Sequence, residues 1–243
     1  MFSWARGAII ACFLTVVSLP TIAQADEWQF EATFYLYTAE TTSGLRGNDV
    51  ILGFGDALEN IDVAFMGTFS ATNDQWTFLA DYMLVDLSFS GPSPNTAFSA
   101  EDLSVRTQVL TGLGLYNLYD DQRTRIDLGA GLRWFDTDTK LTLRAGGSPE
   151  QTQRENDNWI DPVVAARVRY DLNTRWSGTA LVDFGSFIED RQTWQLLVTA
   201  NYAFRENWVA RFGYRYLRVE NDEDDQNYLF EQSGPIFGIA YRF

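Results

Sequence analysis

The chain has 243 residues, enough for one domain behind a short leader. Its net charge of -15 disfavours nucleic acid as a partner, because the phosphate backbone would repel it. Histidine is absent and cysteine occurs once, which excludes a Ser–His–Asp unit, an imidazole metal site and a disulfide.

The first 25 residues read as a signal peptide. Arg6 supplies the positive charge, Ala8 to Val17 the apolar stretch, Pro20 a break and Ala23-Gln24-Ala25 a cleavage site. A membrane anchor would need a longer apolar stretch. A lipidation box at Ile10-Ala11-Cys12 is countered by the apolar run that continues through Phe13-Leu14. Removing 1–25 takes away Arg6 and Cys12. The mature part, 26–243, then carries no cysteine and a charge of about -16, one cation fewer than the full chain.

Beyond the leader no run of 18 apolar residues occurs, so a helical span is not expected. Aromatic residues nevertheless reach 15%, while mean hydropathy is only -0.19. Strands with one apolar and one polar face reconcile these values. Ten segments alternate with period two, at roughly 28–38, 61–71, 75–88, 103–118, 123–136, 158–170, 175–187, 191–204, 208–219 and 229–243. Their length suits tilted membrane-crossing strands, which need about 9–11 residues. In the first, Trp28, Phe30, Ala32, Phe34 and Leu36 share a face opposite Gln29, Glu31 and Thr33. In the fifth, Ile126, Leu128, Ala130, Leu132 and Trp134 oppose Arg125, Asp127, Gly129, Gly131 and Arg133. In the ninth, Trp208, Ala210, Phe212, Tyr214 and Tyr216 oppose Arg211, Gly213 and Arg215.

Short connections at 72–74, 119–122, 171–174 and 205–207 are rich in Asn and Asp. Long connections at 39–60, 89–102, 137–157 and 220–228 alternate with them, apart from a brief one at 188–190. Trp76, Trp176 and Trp208 each follow a short turn, and Trp28 opens the first strand. With Phe243 they predict an interfacial aromatic girdle. The expected fold is therefore an all-β, antiparallel up-and-down transmembrane barrel. It has ten strands, or eight as the smaller alternative, with both termini periplasmic.

The ending Ser233-Gly234-Pro235-Ile236-Phe237-Gly238-Ile239-Ala240-Tyr241-Arg242-Phe243 resembles the C-terminal signature of Gram-negative outer-membrane barrels. The whole mature part is similar to small barrels of the outer membrane protein A class. Leu58 to Gly67 and Trp159 to Arg167 resemble a family of such barrels without a settled function, in which Gly often stands where Ala165 does here. The resemblance implies residence in the outer membrane and contact with lipid and lipopolysaccharide. It also implies recognition of the strand ending in Phe243 by the barrel-assembly machinery, and a monomer. Barrel enzymes of that membrane are similar to one another in needing a His, which this chain lacks.

On the polar face lie Glu31, Asp62, Asp81, Arg106, Arg125, Asp127, Arg133, Asp161, Arg167, Arg169, Asp183, Arg211 and Arg215, read as lumen charges. They fit a salt-bridged plug, because buried charges need partners. The alternative, which they fit less well, is a narrow channel or small-solute binder lined by Arg and Asp. The leading expectation is a non-enzymatic barrel with an envelope role and no cofactor. The channel or binder comes second, and a carboxylate-based enzyme third. Acids at 220–225 read as a solvated loop, and Asp56 as the cap of a short helix at 53–60.

Overall fold

The computed structural model describes residues 27–38, 40–45, 48–52, 55, 59–93, 95–185, 187, 191–221 and 228–243, with backbone only at 40–45, 48–52 and 228. The predicted leader, the Asp56 cap and most of the acidic run at 220–225 lie outside the described residues.

Twelve strands follow in chain order. They are β1 (Gln29–Tyr37), β2 (Glu40–Leu45), β3 (Asn48–Leu52), β4 (Ile61–Thr72), β5 (Trp76–Gly91) and β6 (Phe98–Asp120). Then come β7 (Thr124–Ala145), β8 (Gln151–Asp171), β9 (Trp176–Gly185), β10 (Arg191–Ala203), β11 (Trp208–Asn221) and β12 (Tyr228–Arg242). β1 pairs with β4, β4 through β12 pair in sequence, and β12 pairs back to β1 from Glu31↔Arg242 to Tyr37↔Ile236. All these ladders are antiparallel, so the wall is a closed up-and-down barrel of ten strands with no free edge at its base. β2 continues the pairing of β1 on β12 in the same register, and β3 folds back beside it. This hairpin occupies part of the 39–60 connection.

The short turns have a shared local cause. Asn73 Oδ1 accepts from the amides of Gln75 and Trp76 (3.0 and 2.6 Å). Asp121 Oδ1 accepts from Arg123 and Thr124 (both 2.7 Å), and Asn173 Oδ1 from Arg175 and Trp176 (both 2.9 Å). A short polar side chain that closes a ring with the backbone two and three residues on is why Asn and Asp recur there. Two of the capped amides belong to the tryptophans that follow. In the fourth turn Asn207 Nδ2 instead donates to the carbonyl of Arg242 (2.7 Å).

Alternation assigns the faces. Phe34 and Leu36 are 63% and 65% exposed, whereas Thr33, Tyr35 and Tyr37 between and beside them are buried. The outer face is apolar from the short-turn end upward on the ten strands of the wall. On β11 it runs Trp208, Ala210, Phe212, Tyr214, Tyr216 and only then Arg218. On β7 it runs Ile126, Leu128, Ala130, Leu132, Trp134 and then Asp136. Nine residues at about 3.3 Å each, tilted by about 40°, make a belt of about 20 Å between its outer rings. Trp28, Trp76, Trp176, Trp208 and Phe243 all stand exposed at its lower rim. Trp28 and Trp76 stack on Phe78, Trp208 meets Tyr241, and Tyr241 stacks on Phe243.

β6, β7 and β8 have 23, 22 and 21 residues, about twice what the belt needs. Their upper halves form an extension beyond the belt, and β8 ladders to β9 only over Val164–Asp171. The segments 89–102 and 137–157, expected as long connections, are thus mostly strand. There Asp136, Asp138 and Lys140 occupy the outer stripe, so no apolar run marks them.

Candidate functional site

The barrel interior brings together eleven of the thirteen predicted lumen charges: Glu31, Asp81, Arg125, Asp127, Arg133, Asp161, Arg167, Arg169, Asp183, Arg211 and Arg215. Two are elsewhere. Arg106 is exposed on the outer face of β6, opposite Asp86 and Asp138 in the ladders and two steps beyond Leu110. Above the apolar belt the outer face is itself polar, so a charge there no longer marks the lumen. Asp62 lies exposed in a β-bulge at the long-loop end and accepts from Ser88 Oγ (2.6 Å).

A hydrogen-bonded belt crosses the lumen at mid-height. Arg133 Nη2 donates to both oxygens of Asp183 (2.9 Å each), Nη1 to Thr193 Oγ1 (2.7 Å) and Nε to Thr111 Oγ1 (3.0 Å). Gln195 Nε2 donates to Asp183 (2.9 Å), and its Oε1 accepts from Arg215 Nε (2.8 Å). Arg215 continues to Tyr35 OH (2.7 Å) and Asp81 (2.8 Å), and Tyr35 OH closes the ring on Asp81 (2.8 Å). Both guanidiniums are almost wholly enclosed, and each is matched by a carboxylate and by neutral oxygens. That is the condition under which buried charge is tolerated.

Packed on this belt is an apolar layer that sequence reasoning missed. Tyr35, Tyr37, Met66, Met83, Val109, Phe135, Trp159, Leu217, Val219, Phe230 and Ile236 are all buried and fill the bore. Phe135 packs on Trp159 and Phe230, with ring centres 4.7 and 5.4 Å apart. The guanidinium of Arg215 lies 5.7 Å from the Tyr37 ring centre, joining the two layers. The available signal was the loss of alternation in Phe65-Met66 and Met83-Leu84-Val85, where both faces are apolar.

Toward the short-turn end a second polar layer shares its carboxylates. Asp127 accepts from Arg125 Nε (3.0 Å) and Arg167 Nε (2.9 Å), while Arg167 also reaches Thr77 Oγ1 (2.8 Å). Glu31 accepts from Arg211 Nη2 (2.8 Å) and Arg242 Nε (2.9 Å). Between this layer and the belt lies a cavity of about 350 Å³. Of the five predicted acids that lie inside, four are thus paired to Arg. The fifth, Asp161, takes Trp159 Nε1 (2.9 Å) on one oxygen, and its other oxygen has no partner among the described residues. No group of three or more acidic side chains able to hold a metal ion occurs among the described residues.

Glycine permits close strand approach inside. A side chain on Gly131 would run into the carbonyl of Gly112, and one on Gly129 into that of Gly114. Ala165, where the resembling family often has Gly, is buried opposite Gly129 in the ladder, and the missing side chain across the pair leaves room for its methyl.

A ten-stranded antiparallel barrel with an apolar outer belt, aromatic rim and filled polar core has the fold of the small Gram-negative outer-membrane barrels. A solved structure shares the fold. The outer membrane protease OmpT from Escherichia coli superposes with a TM-score of 0.61 at 9% identity, covering 90% of this chain and 98% of that one. The translocator domain of the autotransporter NalP from Neisseria meningitidis is a looser match, with TM-score 0.44, 12% identity and coverage of 89% and 88%. Ail, the attachment invasion locus protein of Yersinia pestis, is looser still, with TM-score 0.38, 10% identity and coverage of 89% and 98%. No protein family and no curated protein matches the sequence.

Proposed function

We propose that this chain resides in the outer membrane of a Gram-negative bacterium as a monomeric, non-enzymatic barrel with a closed lumen. Its role is in the envelope: the belt anchors it in lipid, and the β6–β8 extension stands among lipopolysaccharide at the surface. The short-turn end, where β1 begins and β12 ends, then faces the periplasm. The strand ending in Phe243 is the segment offered to the barrel-assembly machinery.

The filled bore carries this reading. The Arg133–Asp183–Gln195–Arg215–Asp81 belt crosses the bore, and the buried apolar layer packs on it at that height. Proteolysis, the activity in the name of OmpT, does not follow from a shared fold. The absence of histidine and the pairing of four interior acids with Arg favour a non-enzymatic role. Planar-bilayer recording of purified, refolded protein tests closure. A closed barrel gives no discrete conductance steps at high salt. Regular steps that change when Arg215 is replaced would establish the narrow channel instead.

A further inference from the structure

Two spaces meet at the short-turn end of the lumen. The inner one is the 350 Å³ cavity beneath the belt. The outer one, about 500 Å³, is framed by the turn at 172–175 and by Ser177, Asn201 and Val209. Arg123, Arg169, Arg242 and Asp171 line both, and so stand at the passage between them. The inner space as a whole is lined by seven arginines and five acids, Glu31, Asp81, Asp120, Asp121 and Asp171, in a chain whose net charge is -15.

The donors at this passage are under-used. Arg169 pairs with Asp171 at 3.0 Å, and Arg242 reaches Glu31 through Nε. The side chain of Arg123 makes no hydrogen bond or ion pair among the described residues. Deeper in, Arg211 shares Glu31 with Arg242, and Arg125 shares Asp127 with Arg167. Asp120 pairs with Arg125, and Asp121 accepts from the amides of Arg123 and Thr124 and the hydroxyl of Tyr119, so the nearby carboxylates are all engaged elsewhere. Guanidinium forks match the geometry of phosphate and carboxylate oxygens. A cleft with low-dielectric walls focuses their field on whatever enters.

We propose that this passage binds a compact oxyanion carrying two or more negative charges, a phosphate or a polycarboxylate, entering from the short-turn side. Arg123 and Arg169 grip it, Arg242 completes the ring, and Asp171 competes with it for Arg169. The site lies on the near side of the belt, so it does not depend on whether the lumen conducts.

Calorimetric titration of refolded protein in zwitterionic detergent tests this, with inorganic phosphate and citrate run separately against chloride at equal ionic strength. The expected result is saturable one-to-one binding of at least one of the two, tighter than about 1 mM, and none of chloride. Which anion saturates tells phosphate from carboxylate chemistry. Arg123→Gln, whose side chain holds nothing else in place, weakens binding about tenfold or more without lowering the unfolding temperature. Asp171→Asn frees Arg169 and tightens binding. Failure of both anions to saturate overturns the proposal, as does binding that neither substitution changes.

Discussion

Arg133 and Asp183 are each fully enclosed, so each depends on the other. Removing one partner of a buried pair leaves an uncompensated charge and costs about 3–5 kcal/mol, whereas replacing both by apolar groups of similar size costs far less. Asp183→Ala should therefore lower the urea stability of the refolded barrel by about that amount. Arg133→Met combined with Asp183→Leu should recover most of the loss. Asp161 behaves in the opposite sense. One of its oxygens is buried without a hydrogen-bond partner among the described residues, so Asp161→Asn should leave stability unchanged or raise it by about 1 kcal/mol in the same assay. The same loss from Asp161→Asn as from Asp183→Ala would show that Asp161 holds a partner of equal worth. At this scale the sequence could be read only in part. Parity told which charges faced inward at Glu31, Asp127 or Arg215, because an apolar neighbour stood on the lipid side. It failed at Arg106, where the outer face is wet as well. It could not pair the charges, since Arg215 and Asp81 are far apart in the chain and meet only because the barrel closes.

Among the elements, the strands inside the belt were legible almost to the residue. β4, expected at 61–71, runs Ile61–Thr72, and β10, expected at 191–204, runs Arg191–Ala203. Lipid on one side forces an apolar residue at every second position, and the Asn or Asp that closes each short turn punctuates the pattern. Past the belt this constraint lapses. The upper halves of β6 to β8 have a polar outer face and read largely as loop, although their ladders continue to Phe98↔Ala145 and Leu143↔Gln151. What holds them is in part ionic. The Arg154 guanidinium beside Asp138 keeps that carboxyl below its usual range, and hydrogen bonds from Ser90 and then Arg144 do the same for Asp102. Depressed carboxyls stabilise the fold at pH above their ordinary values, and this contribution fades as pH falls through the depressed ones. Carboxyl carbon shifts followed by NMR should therefore titrate below the ordinary aspartate midpoint at both residues. Arg154→Gln should return Asp138, but not Asp102, to the ordinary value. An Asp138 midpoint that does not move would mean that the pair contributes nothing to the extension.

As a whole, the molecule inverts the usual distribution of polarity without giving up a packed core. Its exterior carries Phe34, Leu128, Phe212 and their ring-forming neighbours, while its interior holds guanidiniums, carboxylates and two apolar clusters, one around Phe135 and one around Leu115 and Val163. The large exposed apolar surface would aggregate in water, and an acyl-chain environment makes it stable. Tryptophan reports this directly. Trp28, Trp76, Trp176 and Trp208 stand on the outer rim, whereas Trp159 is buried inside the bore. Single-tryptophan versions, reconstituted in vesicles of lipids brominated on their acyl chains, should show strong fluorescence quenching for Trp176 and Trp208 and little for Trp159. Quenching of Trp159 with protection of the rim tryptophans, or a monomer that stays in solution without lipid or detergent, would contradict the assignment of faces on which the barrel, its plug and the envelope role proposed for it all rest.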